Sequence, residues 1–291
     1  MIKHMVKTSE GRILNVAEDG DSHGKPVFAL HGTPSSLLLY GPHVADASKR
    51  GIRLISFDRS GYGGSSPHPG RSVADAAKEV AAIADSLGLD RFAVWGISGG
   101  GPHTLACAAL IPRRVLAAAT LASPAPYPSQ GLDWMAGQGE DNVAEFNAAM
   151  AGPQNLSEFL ELQREELLNA EPGQLAELWA SLLPPVDREV VMGPAGTYLA
   201  SNIKVGIRAG VAGWRDDDLA FVTDWGFNPS AVSVPLMMWQ GKHDKMVPFA
   251  HGQWLSEHIK GADARLTADD GHLSLFERRI PETHAWLLKH F

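Results

Sequence analysis

The chain has 291 residues, 44% hydrophobic and 20% charged, and a formal net charge of −8. This is the composition of a soluble globular protein long enough to bury a sizeable core, and its acidic balance argues against a nucleic-acid partner, which would need clustered Lys and Arg. One cysteine, Cys107, leaves no intrachain disulfide, and no stretch approaches the roughly 18 consecutive apolar residues of a membrane span.

The opening "MIKHMVKTSEGRILNVAEDG" lacks the apolar run of a signal peptide, so the cytoplasm is the expected compartment. Within it "GRILNVAEDG" has strand character. "KPVFALHG" is a short apolar run that stops at glycine, and "GIRLISFDRSGYGGSS" begins as a buried strand and ends in a Gly/Ser turn. "SVADAAKEVAAIADSLGL" spaces its apolar residues as a helix does, with Gly88 at a plausible C-cap. Strand "RFAVWG", helix "GPHTLACAALIP" and apolar run "VLAAATLAS" follow, with Cys107 as a core residue. Apolar strands separated by helices indicate a parallel sheet covered on both faces, hence an α/β fold.

The texture changes at "PAPYPSQG" (124–131). From about 131 to 228 the sequence reads as helices with few strand signals, among them "VAEFNAAMAG", "LSEFLELQREELLNA", "PGQLAELWASLL" and "VDREVVMG". The alternation then returns: "VSVPLMMWQG" as a buried strand, "FAHGQWLSEHI" as a helix, "ARLTADDG" as a last strand and "ERRIPETHAWLLKHF" as a C-terminal helix. Arg113-Arg114 and Arg278-Arg279 read as solvated charges.

Chemistry concentrates in "VWGISGGGPHTLA". No phosphate-binding spacing is present, since neither G-x-x-x-x-G-K-[ST] nor G-x-G-x-x-G occurs. Ser98 instead sits between Gly96 and Gly100, two residues to either side, after a strand and before a helix. A serine on such a tight turn is held in a strained conformation, and only small residues fit beside it. The N-terminus of the following helix points N–H groups at the site where negative charge would form.

Serine is a weak nucleophile and needs a base oriented by a carboxylate. Asp244 lies just past "VPLMMWQG", at the end of a strand, where parallel sheets place their sites. His272 opens the turn after the last strand and is the candidate base. His243, Asp269 and Asp270 read as turn residues. The loop Pro124-Ala125-Pro126 offers no carboxylate, which favours Asp244. Oxyanion donors are expected from the backbone N–H groups of Gly99 and Thr33, since Pro34 has none. His31 and Gly32 read as supports of that loop, and Asp58-Arg59 as a structural hydrogen-bond or ion-pair element.

Taken together, "LHGTPSS", "FDRSGYGGSS", "GISGGG", "GKHDKMVP" and "DDGHLSLFE" resemble the α/β-hydrolase superfamily. The resemblance implies a mostly parallel eight-stranded sheet with helices on both faces and a helical cap inserted after the sixth strand. The core would comprise 1–125 and 232–291, and the cap 126–231. It also implies a serine hydrolase acting on a small carboxylic ester or related acyl compound through Ser98, His272 and Asp244, with no metal or organic cofactor. Ser98 stands where epoxide hydrolases and haloalkane dehalogenases of this fold carry Asp, which argues against those activities. Alternatives are an amidase or aminopeptidase of the proline-iminopeptidase type, a C–C bond hydrolase or perhydrolase, and a ligand sensor that retains the site.

Pocket candidates are Ile97, Trp134 and Trp225. Trp134, Met135, Trp179, Trp214 and Trp225 otherwise read as packing. Asp216-Asp217-Asp218 reads as a solvated helix terminus, with binding of a substrate amine as the competing role, and the direction of His103 is open. The small acyl substrate is the expected partner, and monomer and homodimer are both compatible with the composition.

Overall fold

The computed structural model describes all 291 residues, the side chain of Pro172 excepted. Strands form where β-branched and aromatic residues gather between turn residues: β1 (Ile2–Lys7), β2 (Ile13–Gly20), β3 (Lys25–Leu30), β4 (Ile52–Phe57), β5 (Phe92–Ile97), β6 (Val115–Leu121), β7 (Leu236–Gly241) and β8 (Asp263–Thr267). They make one eight-stranded sheet in the order β1-β2-β4-β3-β5-β6-β7-β8. β2 runs antiparallel to both β1 and β4, and every other neighbouring pair is parallel. Every residue of β5 and of β7 is buried, as expected for central strands covered on both faces, whereas the edge strands β1 and β8 are largely exposed.

The crossovers supply α1 (Gly41–Lys49), α2 (Asp75–Ser86) and α3 (Gly100–Leu110). α2 stops where Gly88 takes a left-handed conformation (φ 67°). Between β6 and β7 the chain leaves the sheet for α4 (Glu140–Met150), α5 (Pro153–Asn169), α6 (Leu175–Leu178), α7 (Pro185–Met192), α8 (Pro194–Ile207) and α9 (Ala212–Phe221). Three of these begin on proline, whose fixed φ suits a first helical turn and whose missing N–H would be unpaired there in any case. The chain returns to the sheet with α10 (Phe249–His258) and α11 (His272–Leu287).

α1 packs on α11 and α2 on α3, so the sheet is covered on both faces. The helices of the insertion pack mainly on one another, and α7 rests on α11. Cys107 is buried in α3, and burial pushes its thiol up. No helix among the described residues is long and apolar enough to cross a membrane.

Two expectations need correction. His272 is the first residue of α11, so this helix starts five residues before the stretch read as helical. Asp216, Asp217 and Asp218 are all buried in α9 and do not form a solvated terminus.

Candidate active site

The loops that leave the C-terminal ends of β3, β5, β7 and β8 converge, bringing Thr33, Ser98, Asp244 and His272 together. Ser98 has φ 54°, one of two non-glycine residues in the left-handed region among those described. That conformation is strained for a residue with a Cβ and persists only where its surroundings enforce it. The enforcement is visible on both sides. A Cβ on Gly96 would collide with the Gly100 carbonyl and the Thr104 hydroxyl, and one on Gly100 with the carbonyl of Leu30. The Ser98 N–H is tied to the Leu121 carbonyl at 2.8 Å, and the Ser98 carbonyl accepts from Gly101 at 2.8 Å.

Gly32 faces the serine: a Cβ there would stand 3.4 Å from the Ser98 Cβ and 3.9 Å from its Oγ. Gly99 and Thr33 are neighbours, since a Cβ on Gly99 would meet the Thr33 side chain. Among the described residues neither the Gly99 N–H nor the Thr33 N–H donates to a protein acceptor.

His272 and Asp244 are bonded, Nδ1 to Oδ2 at 2.8 Å, and both are buried. A carboxylate can only accept, so Nδ1 carries the proton and Nε2 is left as the acceptor. Asp244 is itself held: Oδ1 accepts the N–H groups of Met246 and Val247, each at 2.8 Å, and Oδ2 accepts from Gln240 at 3.2 Å. Burial disfavours the charged imidazole, but the Asp244 carboxylate, helped by Asp187, outweighs it and holds the His272 pKa above its usual value.

His31 is occupied at both nitrogens. Nδ1 bonds the Gly32 carbonyl at 2.7 Å and Nε2 accepts the Arg59 N–H at 3.2 Å. Burial and the Arg59 charge push its pKa well down. It braces the loop that carries Thr33 and has no lone pair to spare as a base.

Beneath that loop Asp217 gathers Arg59, Arg71 (2.8 Å), Tyr62 (2.9 Å), Thr33 (2.7 Å) and His103 (3.2 Å). Burial opposes the Asp217 charge, yet the two guanidinium groups hold its carboxyl well below the carboxylate range. Arg59 also donates to the carbonyls of His31 and Gly32. Asp58 is structural too, accepting from Leu37, Asn15 and Gly64. Arg278 is exposed, as expected, 3.6 Å from the buried Asp270, whereas Arg279 is half-buried and pairs with Asp270 at 2.7 Å.

Ser98, Gly99, Thr33 and His272 open on a cavity of about 190 Å³ between the sheet and the helical insertion. Ile97 and Trp134 line it, as do Trp179 and Trp214. Trp225 does not: it is packed in the core with its indole N–H on the Phe221 carbonyl. Glu145 of α4 and His251 of α10, which sequence reading passed over, line the cavity too, together with Asp218. Glu145 of α4 and Asp218 of α9 face each other across the cavity wall. Burial and the Glu145 charge push the Asp218 carboxyl well above the carboxylate range, and burial raises that of Glu145 too. His251 is held neutral by burial, pushed down to about 4, and bonds Ala125 and Trp134. Among the described residues no three His, Cys, Asp or Glu side chains are grouped as metal ligands would be.

The alpha/beta hydrolase fold family matches residues 25–279, and the chain belongs to that family. It is 26% identical over 283 residues to the AB hydrolase superfamily protein YisY of Bacillus subtilis, covering 95% of this chain and 94% of that one. It is 32% identical over 112 residues to a proline iminopeptidase of Xanthomonas citri, covering 36% of this chain and 34% of that one. Among solved structures, an esterase from Exiguobacterium antarcticum superposes with a TM-score of 0.72 at 19% identity over 99% of this chain and 100% of the other.

Proposed function

We propose that the protein is a serine hydrolase that cleaves a small carboxylic ester or related acyl substrate. The observation that carries this reading is His272, bonded to Asp244, opening on the same cavity as a serine at φ 54°. Ser98 Oγ attacks the acyl carbon while His272 Nε2 takes its proton. The N–H groups of Gly99 and Thr33 stabilise the oxyanion. The acyl–oxygen bond breaks, and His272 returns the proton to the departing alkoxide. Water then attacks the acyl-enzyme, giving its proton to His272, and releases the acid with Ser98 restored. Asp244 holds the imidazole tautomer throughout. In this reading the helical insertion is the cap over the pocket, the enzyme works in the cytoplasm as a monomer or homodimer, and no metal or organic cofactor takes part.

A second reading, hydrolysis of an amide that carries a free amine, is favoured by Glu145 and Asp218, which place an acidic pair in the cavity. The similarity to a proline iminopeptidase over 112 residues points the same way.

The deciding experiment is reaction with a fluorophosphonate probe, followed by peptide mass spectrometry, alongside rates on p-nitrophenyl esters of increasing acyl length and on amino-acid p-nitroanilides. An adduct on Ser98 and turnover that peaks at a short acyl chain are expected. Faster turnover of the anilides would favour the second reading. No adduct and no turnover would overturn both.

A further inference from the structure

Asp187 lies in the first turn of α7, in the helical insertion, yet both its carboxylate oxygens are bonded to the first turn of α11. Oδ2 accepts the His272 N–H at 2.6 Å, and Oδ1 accepts the Ser274 N–H at 2.9 Å. The first N–H groups of a helix have no partner within it, and the positive end of the helix dipole favours an anion there. A cap normally comes from the residue before the helix. Here that residue is Gly271, which has no side chain, and a Cβ on it would collide with the Asp187 carboxylate. The Gly271 N–H goes to the Ser274 hydroxyl at 2.8 Å. The cap is thus supplied across the boundary between insertion and sheet, by a fully buried side chain.

Resting on the reading of His272 as the base, we propose that Asp187 is a positioning residue for it: its two amide bonds fix the backbone of His272, while Asp244 fixes the ring. The imidazole is then held at both ends, by elements far apart in sequence. The helical insertion shares in the geometry of the site, because α7 cannot leave α11 without uncapping the turn that carries His272.

The charged groups around His272 are few. Asp244 faces it from the loop after β7, and Asp187 from α7. His251 of α10 faces Asp244 and is neutral. Asp270, two residues upstream, is paired with Arg279, and Asp46 of α1 pairs with His284 much further along α11. Burial pushes the Asp187 carboxyl up, against the two amide bonds that favour its charged form. Removing the Asp187 charge therefore removes one of two anions that favour the imidazolium.

The test uses Asp187→Asn, which is isosteric but loses the charge and one acceptor, and Gly271→Ala, which keeps the charge but drives the carboxylate off the amides. Two readouts are taken: the His272 imidazole titration by NMR of ¹³Cε1-labelled histidine, assigned with His272→Gln, and kcat and KM on a p-nitrophenyl ester. Expected for Asp187→Asn are a titration at lower pH than wild type and a kcat reduced about 10- to 100-fold with KM little changed, because small misplacements of a base are costly. Gly271→Ala should reproduce the fall in kcat. A purely structural Asp187 would lower the melting temperature and leave titration and kcat as in wild type, and that result overturns the proposal. If Asp187→Asn does not fold, an unchanged Gly271→Ala overturns it. Should the wild type neither react with the probe nor turn over ester, the assignment of function fails, and the NMR titration still decides whether Asp187 acts on His272.

Discussion

Thr33 donates its hydroxyl to the Asp217 carboxylate at 2.7 Å, joining the loop after β3 to α9 of the helical insertion. The two are 184 residues apart in the chain. The same hydroxyl accepts from Arg59 at 3.0 Å, so the side chain beside the proposed oxyanion donor is fixed from two directions. Asp217 is the only carboxylate that Arg59 and Arg71 bond among the described residues.

Asp217→Asn should therefore be strongly destabilising. Breaking one partner of a buried ion cluster leaves uncompensated charge, at about 3–5 kcal/mol. The folded carboxyl is held well below its ordinary value, so its contribution is full above the unfolded-state pKa. It is lost as pH falls through the folded one. Urea titrations at pH 7 should show the deficit, and the gap to wild type should narrow in acid. A gap below about 1 kcal/mol at pH 7 would mean that the cluster contributes no more than a surface pair.

The pH profile of catalysis tests His272 directly. The base works in its neutral form, and its pKa is held above the usual imidazole value. kcat/KM should fall as pH drops, with the acid limb displaced to higher pH than an ordinary histidine would give. Asp244→Asn removes the largest stabiliser of the imidazolium and should move the limb toward acid as it lowers kcat. Ser98→Ala and His272→Ala should each lower kcat by roughly 10⁶-fold, and the double variant should add little. A flat profile between pH 5 and 8, with chemistry rate-limiting, would count against the assignment.

Ser98, Asp244 and His272 were legible in the sequence because each is marked locally. Gly96 and Gly100 bracket the serine, since no Cβ fits at either place, and the other two follow buried strands. Asp217 and Asp187 were not, because their partners lie 85 or more residues away. Three successive acids look like a solvated terminus, but on a helix they fan out by about 100° per residue. Asp216 turns to Arg215, Asp217 to the buried arginines and Asp218 to the cavity. Arg59 and Arg71 were the available signal, since a buried arginine demands an anion. β1 was missed because only Val6 is buried, and α11 was read as starting late because His272 was assigned to the turn after the last strand, where Gly271 offers no capping side chain to mark a helix start.

The strain at Ser98 predicts a trade of stability for function. A non-glycine residue held in the left-handed region carries about 1–3 kcal/mol, and glycine adopts that region freely at a smaller entropic cost. Ser98→Gly should raise the unfolding free energy by about 1 kcal/mol while abolishing turnover. Ser98→Ala, which keeps its Cβ, should abolish turnover without that gain. Equal stability of the two variants by chemical denaturation would show that the turn is not strained.

Asp218 is expected to be a second place where stability is given up for the site. Its carboxyl is pushed well above the ordinary range by burial and by Glu145. The folded state therefore binds a proton that the unfolded state releases, and stability falls as pH rises from the unfolded pKa toward the folded one. Asp218→Asn has no proton to lose. Its stability relative to wild type should improve between pH 5 and pH 8, as denaturant titrations at the two pH values would show. On the ester reading, kcat/KM for a p-nitrophenyl ester should change little. On the amine reading, the rate on an amino-acid p-nitroanilide should fall at least tenfold, as when one partner of a buried hydrogen bond is removed. A variant whose stability runs parallel to wild type across that range would show that Asp218 is already ionised in the folded protein.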